Sequence, residues 1–274
     1  MLTLDLSGQK ALVTGSTGGI GLAIAERLAQ AGAHVIVNGR GEERTQAATD
    51  TIRKKLPEAQ VTGFAGDVAQ PEIIARLQEA HPELDVLVNN LGIFEEVPFA
   101  EISDDDWLRF FDINVMSGVR LSRAYLPGMV TKKRGRIVFI SSESGLNIPA
   151  EMIHYGFSKA AQIAIARGLA ESVAGSGVTV NSVLPGPTRT EGVMTMIRKA
   201  AEKSGHTPEE TEANFLKNNR PTSLLQRLEE PEEVANMVAI SVRRSPRQRQ
   251  ALRYVLKADC CAIRAEQPNF VRGA

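Results

Sequence analysis

The chain has 274 residues, enough to bury a sizeable core in one large or two small domains. At 43% hydrophobic and 23% charged residues, with no apolar run long enough to cross a bilayer, it reads as a globular protein that does not insert into membranes. Its formal net charge is zero, yet from Ser241 onward there are 8 Lys+Arg against 2 Asp+Glu, leaving 24 of 32 basic and 30 of 32 acidic residues before that point.

Residues 1–9 lack the basic stretch and apolar core of a secretory signal, and the two cysteines, Cys260 and Cys261, are adjacent and have no metal-ligand spacing. Both features predict a reducing, cytoplasmic setting. Short β-branched runs at 11–14, 34–37, 61–64, 85–88, 136–140 and 178–183 alternate with longer helical patterns. Six such strands with helices between them predict an α/β fold with a doubly wound parallel sheet covered on both faces. No repeat or Pro/Gly-rich linker divides the chain, so residues 1–240 read as a single domain and 241–274 as an atypical basic tail.

After the first strand comes Thr14-Gly15-Ser16-Thr17-Gly18-Gly19-Ile20-Gly21, which opens a helix with an apolar stripe at Ile20, Ala23, Ile24, Leu28 and Ala31. Glycines in a strand-turn-helix context let backbone N–H groups and a helix N-terminus approach a pyrophosphate. At the end of the second strand stand Asn38, Gly39 and Arg40. No acid is there to bind a ribose diol, and the guanidinium of Arg40 favours a 2′-phosphate, hence NADP(H) over NAD(H). Asp104, Asp105 and Asp106 precede Trp107, Phe110 and Phe111, the pattern of acids at a helix N-terminus and not of a metal site. Ser142 closes the fifth strand, while Tyr155 and Lys159 are four apart at the start of an Ala-rich helical segment and so share a face. A phenol of pKa about 10 works as an acid/base near neutrality only with a positive charge at hand, which Lys159 supplies. The polar, helix-prone stretch 191–227 follows the sixth strand, where such sheets place substrate-covering elements, and reads as a lid. Glu95, Glu96, Asn147, Glu151 and Met152 are expected to join it around the substrate. His34, His81, His154 and His206 form no ligand set, and His154 reads as a packing or pocket-rim residue.

The Thr-Gly-x-x-x-Gly-x-Gly turn, followed in order by Ser142 and Tyr155-x-x-x-Lys159, resembles the short-chain dehydrogenase/reductase family, with its Rossmann-type fold, and in particular its 3-oxoacyl-acyl-carrier-protein-reductase-like members. The resemblance spans roughly residues 5–238. It implies that Gly15, Ser16, Thr17, Gly19, Ile20 and Gly21 bind the cofactor phosphates, and that Ser142 orients the substrate oxygen. Lys159 also holds the nicotinamide ribose beside Tyr155, and Asn114 fills the fourth catalytic position, supporting a water-linked proton relay. Asp67 and Val68 match the position that meets adenine. Asn89-Asn90-Leu91-Gly92 resembles the family's Asn-Asn-Ala-Gly, with Asn90 and Gly92 shaping the crevice. Pro185, Gly186, Thr188 and Thr190 match the segment that meets the nicotinamide carboxamide and pyrophosphate. A homodimer or homotetramer is implied as well.

The implied function is hydride transfer between NADP(H) and a small-molecule carbonyl or alcohol, without metal, membrane or nucleic-acid partner. The basic tail has no nucleic-acid-binding module or interleaved aromatics. The alternative is a catalytically weak NADP(H)-binding regulatory protein, against which the complete set of Ser142, Tyr155 and Lys159 argues. After Pro231-Glu232-Glu233 the family's seventh strand and Gly-Gly ending are expected, but a basic stretch follows. Back-translating 249–259 with permitted codons and reading one base out of register allows Thr-Gly-Val-Ala-Leu-Arg-Ala-Glu-Gly-Gly. This predicts that the tail after about Ile240 is a shifted reading frame, unless 252–256 takes the place of the edge strand.

Overall fold

The six runs expected as strands form, with ends displaced by one or two residues. The computed structural model describes residues 4–221 and 223–243 and the backbone of Arg253–Val255. In chain order the elements are β1 (Lys10–Val13), α1 (Gly19–Gln30), β2 (His34–Gly39), α2 (Glu42–Lys55), β3 (Val61–Ala65), α3 (Pro71–Ala80), β4 (Val86–Asn89), α4 (Asp104–Phe110), α5 (Ser117–Thr131), β5 (Gly135–Ile140), α6 (Ile153–Ser172), β6 (Val178–Leu184), α7 (Glu191–Ser204), α8 (Pro208–Asn219), α9 (Pro231–Val242) and β7 (Arg253–Val255).

All pairings are parallel, in the order β3-β2-β1-β4-β5-β6-β7. The order reverses between β1 and β4, which opens a crevice at the carboxyl ends of those strands. Successive strand residues serve opposite faces. Val13, Val37 and Val88 pack with Ile24 and Leu28 of α1 and Val234 and Val238 of α9. Leu12, Ile36 and Leu87 pack on the other side with Leu77 of α3, Leu121 of α5 and Ala166 of α6. Burial on both faces is why these strands read as continuous apolar runs and not as alternating ones.

Ser103 caps α4 by accepting from Asp106 N, and Asp104 to Asp106 form its first turn, as the sequence predicts. A wide turn of π-helix, Phe111–Met116, joins α4 to α5. The stretch read as a lid forms α7 and α8, which share a small core of Ile197, Leu216 and Leu228. The domain boundary expected at residue 240 falls inside α9, and Arg253–Val255 pairs with β6 in the register Ser182↔Arg253, Val183↔Tyr254, Leu184↔Val255. Arg253–Val255, inside the 252–256 run, therefore supplies an edge strand. Cys260 and Cys261 lie outside the described residues. Among the described residues no helix is long and apolar enough to cross a membrane.

Candidate active site

The turn after β1 is shaped by glycine. Gly15 and Gly19 have φ of 60° and 53°, left-handed values that side chains resist. A Cβ on Gly21 would lie 2.4 Å from the Gly15 carbonyl oxygen and 2.6 Å from Asn90 Nδ2, so only glycine lets α1 start this close to the turn. α1 has Gly18 at its N-cap, no side-chain cap and no acid in its first turn, which leaves its positive end available to an anion. The turn is fastened to β4 across the switch point. Asn90 Nδ2 donates to the carbonyls of Thr14 (2.8 Å) and Gly15 (3.1 Å), and Thr14 Oγ1 accepts from the amides of Asn90 and Leu91 (both 2.9 Å).

Gly15, Thr17, Arg40, Asp67, Val68 and Gly92 line the end of the crevice next to β2 and β3. Arg44, in the first turn of α2, lines it too and was missed by sequence reasoning; a second arginine close after Arg40 was the available signal. Asn38 is buried and donates through Nδ2 to the carbonyls of Phe64 (3.1 Å) and Gly66 (3.0 Å). Of the expected nucleotide residues, Gly19 and Ser16 are not among those lining the crevice, and the Ser16 side chain is turned into the protein. Its hydroxyl donates to Val13 O (2.7 Å) and accepts from Asn38 N (2.9 Å), and its own amide donates to Asn38 O (2.8 Å), so both polar groups tie the turn to β2.

At the other end, Ile20, Gly21, Pro185, Gly186, Thr188 and Thr190 share a cavity of about 250 Å³ with Ser142, Tyr155 and Lys159. Thr190 caps α7 and faces the glycine turn: a Cβ on Gly19 would lie 3.3 Å from Thr190 Cγ2. Ser142 Oγ accepts from Ser144 N (3.1 Å) and lines the cavity together with Tyr155. Burial pushes the Tyr155 phenol above its ordinary pKa; the Ser142 hydroxyl opposes this, the Glu143 charge adds to it and Arg220 opposes it. Lys159 Nζ lies 5.6 Å from the centre of the Tyr155 ring, and burial lowers its pKa to about 7. Two groups whose ordinary pKa values nearly coincide are thus pushed apart, each toward its neutral form, a condition typical of functional sites.

Asn114 sits in the wide turn and lies beside this group. Its side chain accepts from Ile93 N (2.7 Å) and donates to Ile93 O and to Ser158 Oγ (both 2.9 Å), so it clamps the chain after β4 against α6. Its main-chain carbonyl accepts from Gln162 Nε2 at 2.5 Å.

Glu96, Glu151 and Met152 line the cavity as expected. Burial raises the Glu96 pKa, and the Glu151 charge adds to the rise against the opposing field of Arg220. Glu95 is drawn to Arg109 instead (2.8 Å), and Asn147 is not among the lining residues. Phe215 lines the cavity from the stretch read as a lid, while the sequence gives no sign of Phe94 or of the ion pair of Glu143 with Arg220, whose carboxylate and Nε are 2.6 Å apart and 77 residues apart in sequence. His154 is fully buried with neither ring nitrogen hydrogen-bonded, 4.0 Å from the Phe110 ring and 6.1 Å from that of Trp107, which makes it a packing residue. Among the described residues no group of three or more His, Cys, Asp or Glu is placed to hold a metal.

The pattern of the short chain dehydrogenase family matches residues 9–201. An uncharacterized oxidoreductase, YvaG of Bacillus subtilis (strain 168), is 50% identical over 237 residues, covering 86% of this chain and 90% of that protein. The 3-oxoacyl-[acyl-carrier-protein] reductase FabG of Vibrio cholerae is 36% identical over 192 residues, 69% of this chain and 77% of its own. Among solved structures, L-sorbose reductase from Gluconobacter frateurii, complexed with NADPH and L-sorbose, superimposes with a TM-score of 0.87 at 27% identity over 94% of this chain and 98% of the other. With the glycine turn, the switch-point crevice and the Ser142, Tyr155 and Lys159 group assembled on one Rossmann-type sheet, the chain belongs to the short-chain dehydrogenase/reductase family of oxidoreductases.

Proposed function

We propose that the protein transfers a hydride reversibly between NADP(H) and the carbonyl or alcohol carbon of a small molecule. The observation that carries this reading is the convergence of Ser142, Tyr155 and Lys159 on the cavity that also reaches the uncapped end of α1. The glycine turn and that bare terminus fit a dinucleotide pyrophosphate. The bound nicotinamide supplies the hydride. In reduction Ser142 holds the substrate oxygen by its hydroxyl, Tyr155 donates its phenolic proton to that oxygen, and the Lys159 ammonium stabilises the phenolate left behind. Thr188 and Thr190 orient the nicotinamide end, and Asp67 and Val68 hold the adenine end. The preference for NADP(H) rests on Arg40 and Arg44 beside the crevice where no acid stands at the end of β2, and it is supported by relatives crystallised with NADPH. The stacked, exposed rings of Phe111 and Phe157 offer an apolar face suited to a homo-oligomer, and the sparse cysteines suit a cytoplasmic protein.

The test is NADPH and NADH oxidation over a panel of aldehydes, ketones, quinones and acyl-thioester ketones. Turnover with at least one carbonyl class, faster with NADPH, is expected. Tight NADPH binding with no turnover anywhere would overturn the reading in favour of a nucleotide-sensing protein. Arg40→Ala should weaken NADPH about 10- to 100-fold, as loss of a charge-assisted contact does, and leave NADH nearly unchanged. An equal loss for both would remove Arg40 from 2′-phosphate recognition.

A further inference from the structure

Gln162 stands three residues beyond Lys159 on α6, on the same helix face, and is 1% exposed. A primary amide buried this deeply must place both its ends. Its Oε1 accepts from Lys159 Nζ at 3.3 Å, and its Nε2 donates to the Asn114 carbonyl at 2.5 Å. Lys159 Nζ also donates to Ile140 O at 2.9 Å.

We propose that Gln162 is a positioning residue: it ties the Lys159 ammonium to the Asn114 main-chain carbonyl through a side-chain amide, at the residue to which the family resemblance assigns a water-linked proton relay. A water at such a point passes protons, because it donates and accepts interchangeably. An amide keeps its donor and acceptor ends fixed. The Gln162 link therefore holds the ammonium in place and does not resupply it through Asn114. Two anchors, Ile140 O and Gln162 Oε1, leave Nζ facing Gly92, on which a Cβ would lie 3.3 Å away and crowd the ammonium.

The Gln162 oxygen favours the charged amine, against the burial that disfavours it. Tyr155 is the titratable neighbour on the same helix. From other elements the charged groups facing the cavity are Glu96 after β4, Glu143 after β5 with its partner Arg220 after α8, and Glu151 before α6. All are common to wild type and variants, so a change in Lys159 titration between them reports on position 162.

The experiment is competitive acetic anhydride labelling of Lys159, read by mass spectrometry between about pH 5.5 and 10, on wild type, Gln162→Met and Gln162→Glu, with melting temperatures for each. Met keeps the volume and loses the acceptor, so the labelling midpoint should fall by about half a pH unit or more; Glu presents a carboxylate, so it should rise. A purely structural role would not move the two variants in opposite directions. Unchanged midpoints, or shifts in the same direction, in variants that melt near wild type would overturn the proposal. If the Met variant fails to fold, the Glu variant decides alone: a rise supports the tie and an unchanged midpoint refutes it. The assignment rests on the proposed role of Lys159 only for its second readout, an NADPH affinity about fivefold or more weaker in Gln162→Met. A wild type that binds no NADPH would count against the proposed function, while the labelling would still decide Gln162.

Discussion

The glycine turn after β1 and the wall around Tyr155 lie in one crevice and are made by different means. In the turn the working surface is main chain: Gly15 and Gly19 take left-handed backbone, Gly21 admits the Gly15 carbonyl, and α1 begins without a side-chain cap. In the wall the surface is side chain: Phe94, Glu96, Met152 and Phe215 line it, and Arg220 reaches across to Glu143. A main-chain site is fixed by which residues lack a side chain, a local property of a few consecutive positions. A side-chain site depends on which distant segments meet, so it can change from one relative to the next while the turn stays as it is.

The largest effect expected separates chemistry from both surfaces. Tyr155→Phe keeps the ring, the T-shaped contact with Phe94 and the cavity, and removes the transferable proton. Turnover should fall about 10²- to 10⁴-fold with NADPH affinity close to wild type, measured by stopped-flow and by fluorescence titration. Activity within about tenfold of wild type would remove Tyr155 from the acid/base role.

Gly21→Ala attacks the turn alone. Its methyl meets backbone at 2.4 Å, so α1 or the turn must move, at about 1 to 3 kcal/mol in stability and with a tenfold or greater loss of NADPH affinity. A variant that melts and binds like wild type would show that the turn is looser than this geometry.

Arg220→Ala attacks the wall alone. Breaking a fully buried ion pair costs about 3 to 5 kcal/mol, and the loss here should be smaller because the Arg220 side chain keeps 12% of its surface exposed. KM for the carbonyl substrate should rise severalfold with NADPH binding intact. Because Arg220 opposes the rise in the Tyr155 pKa, its removal lets that pKa climb further. The phenolate needed for alcohol oxidation then forms at higher pH, and the rising limb of the oxidation profile should move upward. A limb that stays in place would show that the Arg220 field does not reach Tyr155.

The smallest effect concerns the sheet edge. Arg253–Val255 gives β6 a partner of three residues. If the tail is a shifted frame, the gene read one base out of register encodes the Gly-Gly ending. Restoring that ending should raise the melting temperature by a few degrees and sharpen the oligomeric state in light scattering. Codons that give no such ending in either shifted frame would refute the idea.

Much of this was legible in the sequence. The strands were, since burial on both faces demands unbroken apolar runs, and so was the pairing of Tyr155 with Lys159, since helix periodicity puts residues four apart together. Ser16 was grouped with its nucleotide-facing neighbours because a sequence does not show which way a hydroxyl in a turn points, and here it satisfies β2. Glu95 and Glu96 are adjacent and chemically alike, yet Arg109 draws one outward while the other faces the cavity. Glu143 and Arg220 meet only once α8 has packed, a tertiary event without local periodicity. The boundary at residue 240 was placed by a change in charge, which carries no information on helix ends, and it falls inside α9, which runs to Val242.

The stitching of the two crevice turns by Thr14 and Asn90 has a kinetic consequence. Four hydrogen bonds hold the turn in shape through protein atoms alone, so the entering dinucleotide meets a surface that does not have to be organised on arrival. Association at that end should be governed by diffusion and orientation. If α7 and α8 act as the lid expected of 191–227, the slow motion of the cycle falls to them, and the ion pairs of Arg189 with Glu212 and Arg220 with Glu143 are what their lifting must break before the spent nucleotide leaves.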